Sequence, residues 1–539
     1  MPASPAPASS TWAPLRRHVF RALWFAQLGS NVGSWMQSVG AQWTVVHQPD
    51  AATLTSIVQA ASLIPVLFVS LPAGVLADVL DRRRIIAVLT AVMVVITGTL
   101  AVLSGRDLVT PATLITITLL LGVCQALMSP AWQAIQPELV PRDELPAAAA
   151  LGSLNVNIAR AIGPALAGFV LALTGPAVVF AINAGSDLLI LAAILTWRRT
   201  ATESAGPAEP LLPALRAGIR YVRYAPGVRR ILVRALVFVL PASALWGLLP
   251  VVAAARLGLG SGGYGVLLGA LGVGAVGGAV LMRPMRARLG RNPLLGAATV
   301  AYAVGVFSAA LLPSVVAVAL LLVLGGAGWL AGLSTLNTTL QLALPSWVRA
   351  RALAVYLMIF LGGQGVGALL WGLVAAAAGA TTTLAISGVL LLLGAASLLV
   401  LPIHARTGEL DRTIVTPWPE PEIAVLPGED TPDPASGPVL VEVAYHVPAE
   451  RSAEFLAVLA RVGVSRQRTG ARRWTAYRDV AVPDRYVEVF EVATWAEHLR
   501  QHHERITGED AGLYRAALEF SVEPPENRHF LAAHPDHPH

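Results

Sequence analysis

Polar side chains recur at helical spacing inside the first long apolar stretch of the chain. Gln27, Asn31, Ser34, Ser38 and Gln42 follow one another every three or four residues. On an α-helix this spacing confines them to an arc of roughly 80°. Amides and hydroxyls in lipid need partners, so the stripe indicates either a water-filled cavity or hydrogen bonds to a neighbouring helix.

A later apolar stretch repeats this pattern with Gln125, Ser129 and Gln133. For any single residue of the two stripes, interhelical hydrogen bonding explains the side chain as well as a cavity does. Taken as sets, the stripes favour a cavity. Trp35 and other tryptophans nearby would add aromatic walls for a flat apolar substrate, although core or interfacial packing explains any one of them better.

Two ionisable residues, Arg160 and Asp187, lie near the middle of apolar stretches. A charge at that depth needs a partner or a function. Two interpretations follow. Either the two side chains pair with each other as a structural ion pair, or Asp187 carries a proton.

The elements that must position these residues are membrane spans. Of the 539 residues, 55% are hydrophobic and only 13% are charged, and long stretches carry no charge at all. A bilayer core needs roughly 20 apolar residues per helix. The sequence predicts twelve spans, near residues 20–46, 53–77, 84–104, 111–136, 147–173, 176–197, 229–255, 263–283, 294–312, 314–341, 350–376 and 381–402.

The segments between these spans alternate between arginine-rich and arginine-poor. One side carries the clusters at 16–21, 82–84, 216–230 and 283–291, whereas the other carries only Arg106 and Arg256. Loops rich in arginine stay in the cytoplasm. We therefore expect both termini and the central loop, residues 201–228, to be cytoplasmic, and its amphipathic second part to form a helix at the membrane interface.

The first half of the membrane region resembles the second. Gly74 and Gly278, Arg82 and Arg286, and Gly163 and Gly367 all share one offset (278 − 74 = 204). A common offset predicts two six-helix halves with the same topology, which are parallel repeats about an axis along the membrane normal.

The loop from Gly74 to Arg84 reads GVLADVLDRRR. It resembles the signature loop of the major facilitator superfamily, except that Asp81 stands where glycine is usual. The resemblance implies that Gly74, Asp78 and Arg82 form a cytoplasmic latch, with Asp78 and Arg82 close enough to pair. It also implies alternating access, and a central cavity lined by the first and fourth spans of each half.

The fifth predicted span contains a Gly-Pro element that resembles one in exporter branches of this superfamily. Gly163 and Gly168 would allow tight helix crossing, and Pro164 would let the helix bend. The block from Ser129 to Pro141 resembles the enterobactin-exporter, or transmembrane secretion effector, branch. That resemblance spans about residues 12–405 and implies export of a siderophore, antibiotic or drug, with protons as the presumed counter-ion.

The superfamily resemblance completes the list of candidate site residues, because it assigns the tenth span to the cavity. The candidate substrate-binding residues are Gln27, Asn31, Trp35, Ser38, Gln125, Ser129, Gln133, Asn337 and Gln341. The candidates for proton coupling are Asp187 and Arg160.

After a proline-rich linker at 404–437, the pattern becomes that of a soluble α+β domain at 438–525. Its order of strand, helix, two strands, helix and a last strand at 518–523 is ferredoxin-like. It resembles the antibiotic-biosynthesis monooxygenase group, so the alternatives are a membrane-anchored enzyme or a dimerisation or regulatory module. His498, His502 and His503 could serve a metal or catalytic site, but a solvated helix face explains them better.

The predicted organisation is thus an all-α polytopic body with this domain attached. It comprises residues 1–200, the loop 201–228, residues 229–403, the linker, the soluble domain and a disordered tail at 526–539. We expect it in a bacterial plasma (inner) membrane. The arginines flank apolar spans, which argues against nucleic-acid binding. The sequence lacks a phosphate-binding loop for ATP, and it predicts no cofactor, metal or catalytic group.

Overall fold

The computed structural model describes residues 11–197, 211–403, 411–416 and 433–532. Within helices, the side chains of Leu71, Val75, Asp78, Val79 and residues 211–215 lie outside the described part. The chain divides into two compact units. The first comprises Met1–Pro207, Val233–Leu336 and Leu357–Pro402, and the second Ala208–Leu232, Asn337–Tyr356 and Ile403–His539.

Long apolar helices make up the first half of the membrane region. In chain order they are α1 (His18–Val45), α2 (Ala51–Leu63), α3 (Pro65–Val79), α4 (Arg82–Gly105), α5 (Pro111–Leu139), α6 (Leu145–Thr174) and α7 (Pro176–Thr196). Prolines occupy the first position of α3, α5 and α7, where a missing amide hydrogen does no harm. The second predicted span is therefore two helices, separated at Ile64.

The central region and the second half follow the same plan. Their helices are α8 (Leu211–Tyr224), α9 (Pro226–Val251), α10 (Ser261–Arg288), α11 (Arg291–Leu311), α12 (Val315–Ala343), α13 (Ser346–Ala378) and α14 (Ala380–Ala396). A π-helical turn, Val252–Arg256, extends α9.

Ten helical segments among the described residues are long and apolar enough to cross a membrane. They match ten of the twelve predicted spans. α1 falls outside this set because its polar stripe lowers the mean hydropathy, and α14 is a shorter apolar helix. The spanning roles of α1 and α14 therefore stay predictions.

The internal repeat extends to the helix boundaries. α12 begins and ends 204 residues after α5, and α14 begins 204 residues after α7. The links before α7 and α14 also match, since Gly175 and Gly379 both have a positive φ, of 83° and 82°. Glycine adopts this conformation without strain. The two halves thus share backbone geometry as well as sequence.

Within the first unit, the two halves touch near the arginine-poor ends of their helices. α6 crosses α10 at Gly168, where an added Cβ would lie 2.7 Å from the Gly265 Cα and from the Ser261 carbonyl oxygen. α2 meets α13 at Gly372, where an added Cβ would lie 2.6 Å from the Ser56 Cβ. Small residues let the two backbones approach this closely.

The second unit contains a four-stranded antiparallel sheet in the order β2-β3-β1-β4. Its elements are β1 (Val439–His446), α15 (Ser452–Thr469), β2 (Arg473–Arg478), β3 (Arg485–Val492), α16 (Trp495–Arg500), α17 (Gly508–Leu518) and β4 (Glu526–Leu531). Alternate residues of β1 and β3 pack against Phe455 and Leu459 of α15. Phe490 and Val492 of β3 belong to this core, whereas Val487 and Val489 alternate with them and are only partly buried.

Two predictions for the C-terminal region are wrong. The last strand lies at 526–531 rather than 518–523, because residues 526–531 pair with the free edge of β1. The disordered tail therefore cannot begin at residue 526, and its last part, 533–539, lies outside the described residues. Within the predicted linker, residues 411–416 are not a free tether, since Val415 and Thr413 form backbone hydrogen bonds with Ile506 and Gly508.

The same unit packs α8 against the soluble domain. Tyr221 is buried and stands edge-on to Trp347, with ring centroids 5.5 Å apart. Arg220 pairs with Glu497 at 3.0 Å, and Glu497 also accepts from Arg500 and Arg505. Burial opposes ionisation of Glu497, but Arg505, Arg220 and Arg500 lower the pKa of this carboxyl to about 2. Charged and aromatic groups thus join α8 to this domain, whereas Ile219 of its predicted lipid face is exposed.

We expect Gly168→Ala to destabilise the protein. The new methyl group would meet backbone atoms of α10, which cannot move aside as a side chain can, so overpacking should cost about 1–3 kcal/mol. Thermal unfolding of the purified full-length protein in nanodiscs measures this. Gly185→Ala is the matched control, because no heavy atom lies within 4 Å of its added Cβ. Equal stability of the two variants would contradict a tight α6–α10 crossing.

Candidate functional site

A cavity of about 320 Å³ lies inside the first unit. Its walls come from α1, α2, α4, α5, α6 and α7 of the first half and from α9, α12 and α13 of the second. Small-molecule sites in proteins have volumes in this range. The cavity is therefore the candidate binding site.

The polar stripe of α1 forms part of the wall. Asn31, Ser34, Ser38 and Gln42 all line the cavity, as their spacing predicts. Gln27 does not; it lies one turn below and donates a hydrogen bond to the Asn31 side chain at 3.0 Å.

Hydrogen bonds hold the amides of this stripe in place. Asn31 donates to the Asn155 side-chain oxygen at 2.8 Å. Gln42 donates to the Gln59 side-chain oxygen at 2.7 Å, and it accepts from the Tyr264 hydroxyl. Because Tyr264 belongs to α10, this last bond links the two helical halves at the cavity wall. Both interpretations of the stripe, cavity lining and interhelical bonding, therefore apply to it.

The second predicted stripe is divided. Gln125 lines the cavity, whereas Ser129 and Gln133 lie further along α5 and are exposed. Gln133 donates to the Ser129 hydroxyl at 3.2 Å. Asn337 and Gln341 belong to the second unit and hydrogen-bond to each other at 2.8 Å. Of the nine candidate substrate-binding residues, the structure brings together Asn31, Trp35, Ser38 and Gln125.

Sequence reasoning missed several polar and aromatic wall residues. Gln37 and Thr118 lie off the predicted stripes of α1 and α5, and the others lie on helices for which no stripe is visible: Gln59, Asn183, Trp246, Phe360 and Gln364. An isolated amide in an apolar stretch, as in Gln59 and Gln364, was the available signal. Both amide atoms of Gln37 lack a hydrogen-bond partner among the described residues.

Aromatic rings from both halves form a continuous wall. Trp35 lies 6.1 Å from Trp246, which lies 5.6 Å from Trp329, and Trp329 lies 5.7 Å from Phe360, each measured between ring centroids. Rings at such distances form favourable pairs. The cavity thus combines an apolar aromatic surface with amides and hydroxyls.

The structure does not pair Arg160 with Asp187. Asp187 is buried and accepts a hydrogen bond from the Ser30 hydroxyl at 2.7 Å, and its second oxygen has no partner among the described residues. Arg160 instead lines the cavity beside Trp35. The ion-pair interpretation is therefore wrong for this conformation, because the two side chains point to different neighbours of their helices.

The predicted latch differs in its contacts. Arg82 forms an ion pair with Glu138 at 3.0 Å and donates to the Ala77 carbonyl oxygen. The side chain of Asp78 lies outside the described part of the chain, so its pairing with Arg82 stays a prediction. An added Cβ at Gly74 would meet no described atom within 4 Å, so this glycine is not needed for a close approach here.

The Gly-Pro element of α6 lies at two close crossings. An added Cβ at Gly163 would lie 2.6 Å from the Trp35 Cβ, and Gly168 meets α10 as described above. Pro164 lies within a continuous helix. These contacts connect α6 to both the cavity wall of α1 and the opposite half.

A histidine cluster lies in the soluble domain. His498 and His502 are buried rather than on a solvated face, and the ring of His529 from β4 lies 4.9 Å from that of His498. Both ring nitrogens of His498 lack a hydrogen-bond partner among the described residues. In the part of the chain that the structure describes, no group of three or more His, Cys, Asp or Glu side chains could hold a metal ion.

Two repeated helical halves around a polar and aromatic cavity define a multi-pass membrane transporter of the major facilitator type. The chain belongs to the family described as "Transmembrane secretion effector", which matches residues 9–536.

Comparisons with individual proteins agree with this class. The chain is 33% identical over 142 residues to the staphyloferrin A transporter of Staphylococcus aureus, covering 26% of this chain and 36% of that protein. It is 27% identical over 406 residues to the multidrug efflux pump Tap of Mycolicibacterium fortuitum, covering 72% and 96%. The transporter is thus one of efflux or secretion.

Solved structures share the fold. A bacterial homolog of the human lysosomal transporter Spinster, in an inward-facing and unoccupied conformation, matches with a TM-score of 0.59 at 15% identity, covering 74% of this chain and 98% of that one. The nucleoside transporter NupG matches with a TM-score of 0.56 at 15% identity, covering 71% and 99%.

We expect the soluble domain to lose stability as the pH falls below about 6.5. Burial, with the nearby His529, His502, Arg466 and His503, lowers the pKa of His498 to about 3. The unfolded chain then binds a proton more readily than the folded one. The contribution of neutral His498 to the free energy of unfolding is complete above pH 6.5, the pKa of histidine in the unfolded chain. It is lost between there and about pH 3, at up to about 1.4 kcal/mol per pH unit.

Hydrogen exchange of β1 amides in the full-length protein, corrected for intrinsic rates, measures this dependence. His498→Phe should flatten it, because the ring nitrogens are gone. His446→Phe is the control, since His446 is only partly buried. An unchanged pH profile for His498→Phe would show that another group is responsible.

Proposed function

We propose that this protein exports a small amphipathic molecule, such as a siderophore, an antibiotic or a drug, across a bacterial plasma membrane. The observation that carries the proposal is the cavity of about 320 Å³, which combines amides and hydroxyls with a tryptophan wall and takes its lining from both halves. An amphipathic solute needs both kinds of surface.

The relatives support this class of cargo. One is named for a siderophore, staphyloferrin A, and another is named a multidrug efflux pump. Neither name decides which molecule this chain carries. The family description, which refers to secretion, favours export over import.

Alternating access is the mechanism that we infer. The described contacts between the halves at α6–α10 and α2–α13 lie near the arginine-poor ends of the helices, the side that the arginine pattern assigns to the outside. Contacts at these ends would close the cavity toward the outside, as in an inward-facing state. Release outward would require the Gly168–Gly265 and Ser56–Gly372 contacts to separate while the opposite ends close.

For coupling, we propose proton antiport with Asp187 as the proton-carrying group. Asp187 lies one helical turn from Asn183 on α7. Asn183 lines the cavity, whereas the Asp187 carboxyl accepts a hydrogen bond from Ser30 of α1. Asp187 has no cationic partner among the described residues, so its carboxyl can gain and lose a proton without breaking an ion pair. The second candidate, Arg160, has a different role, which is argued below.

For the C-terminal domain, we infer a ferredoxin-like fold from its strand order, and an accessory role. Its packing against α8 and Trp347 supports a module that acts on the transporter. The alternative, a monooxygenase-like enzyme, would require a reactive group at an accessible site, and the buried His498 and His502 do not provide one. Dimerisation through the exposed edge of β2 remains compatible with either role.

Expression in an efflux-deficient bacterium should raise resistance to part of a broad compound panel. Ser38→Trp should abolish this resistance, because the indole fills the cavity, while the protein remains in the membrane. Thr99→Trp is the matched control, since Thr99 is exposed on α4 and does not line the cavity. Full resistance with Ser38→Trp would contradict the proposed site.

The same assay tests the C-terminal domain. A chain that ends at residue 403 should keep its resistance profile if the domain is accessory. Loss of resistance together with loss of an oxidised product in the medium would favour the enzyme instead.

Asp187→Asn should abolish transport driven by a pH gradient in proteoliposomes and leave the amount of membrane protein unchanged. The amide is nearly isosteric and keeps the bond to Ser30, but it cannot carry a proton. Ser186→Ala is the control, because it changes the neighbouring residue of the same helix and leaves the carboxyl in place. Absence of Asp187→Asn from the membrane would show a structural role, and normal transport would exclude Asp187 from coupling.

A further inference from the structure

The cavity has an unusual charge balance. Among the described residues that line it, Arg160 is the only one with a formal charge, and no Asp, Glu or His accompanies it. The remaining polar lining consists of amides and hydroxyls. The site therefore carries one uncompensated positive charge.

Arg160 has no anionic partner in the part of the chain that the structure describes. No hydrogen bond or ion pair joins it to another described residue, and its guanidinium carbon lies 5.9 Å from the Trp35 ring centroid. The tryptophan face compensates the charge only in part. An arginine within a membrane-spanning helix is costly to keep unless it binds something.

The neighbouring groups suit an anion with an apolar body. Guanidinium binds carboxylate or phosphate oxygens through paired donors. The Gln37 amide, which lacks partners among the described residues, offers a further donor in the same cavity. Trp246 and Trp329 would cover the apolar part of the ligand. A cationic ligand would meet repulsion from Arg160 with no carboxylate to offset it.

We propose that this cavity selects amphipathic anions, and that Arg160 determines the selectivity by pairing with a carboxylate or similar acidic group of the cargo. This inference rests on the proposed export function and narrows its substrate class. Cationic drugs are then poor substrates, although the cavity accommodates their size.

Three naphthalene probes that differ only in charge test this inference. They are 2-naphthoate, 2-naphthamide and 2-naphthylmethylammonium. Equilibrium dialysis against the full-length protein in nanodiscs, with empty nanodiscs as background, gives their affinities from naphthalene fluorescence. We expect 2-naphthoate to bind roughly tenfold or more tightly than the amide, and the ammonium to bind most weakly.

Arg160→Gln should remove the preference for 2-naphthoate, and Arg160→Lys should retain much of it. Arg106→Gln is the matched control, because it removes the same charge from an exposed helix end away from the cavity. Gln125→Glu, which places a carboxylate in the wall, should shift the preference toward the ammonium probe. The wild-type comparison needs no variant, so a folding failure of Arg160→Gln leaves the test intact.

The outcomes separate this inference from the proposed function. Equal binding of all three probes, or an unchanged preference in Arg160→Gln, overturns the charge selectivity and leaves export standing. Binding of none of them overturns the selectivity as well. The export proposal is tested separately by the compound panel. Resistance that Ser38→Trp abolishes would support export, and a lack of resistance to every compound would overturn it.

Discussion

A polar group inside a membrane must have a hydrogen-bond partner or contact water, and the arrangement of the membrane body depends on this constraint. It turns the polar face of α1 toward the cavity and toward Gln59 and Tyr264 of other helices. The same constraint places the Asp187 carboxyl against the Ser30 hydroxyl. Apolar side chains then cover the faces that lipid would contact. The polar residues therefore determine which helix faces meet, and the cavity lies where their number exceeds what neighbouring helices can satisfy.

Glycine determines how closely the halves approach. At Gly168 and Gly265 the backbones of α6 and α10 are in direct contact, and Gly163 lets α6 lie against Trp35. Lipid gives helices no hydrophobic reason to associate, so close packing of small residues supplies much of the attraction. Such contacts are also easy to separate, because no interlocked side chain must move. Such packing is compatible with the closure and reopening that the proposed alternating access requires.

The C-terminal domain follows different rules. Its core is a sheet covered by α15 and α17, and buried charge is paired inside it, as between Arg466 and Glu488 at 3.1 Å. Loss of one partner of such a pair would leave an uncompensated buried charge, which is strongly destabilising. Glu497 is paired both within the domain and outside it, since it accepts from Arg505 of the domain and from Arg220 of α8. The charged face of α8, which loop topology alone would explain, is thereby also a protein-binding face.

Sequence alone determined the apolar spans, the repeat and the stripe of α1, because length, offset and helical periodicity can be read along the chain without knowing how it packs. It also indicated Asn31, Trp35, Ser38 and Gln125 as cavity residues. Only the tertiary structure decided the rest. Gln364 and Trp246 reach the cavity through the packing of distant helices, Arg160 and Asp187 turn to different neighbours, and β4 forms at 526–531 because the edge of β1 lies there. Such contacts join residues far apart in the chain, and no local pattern records them.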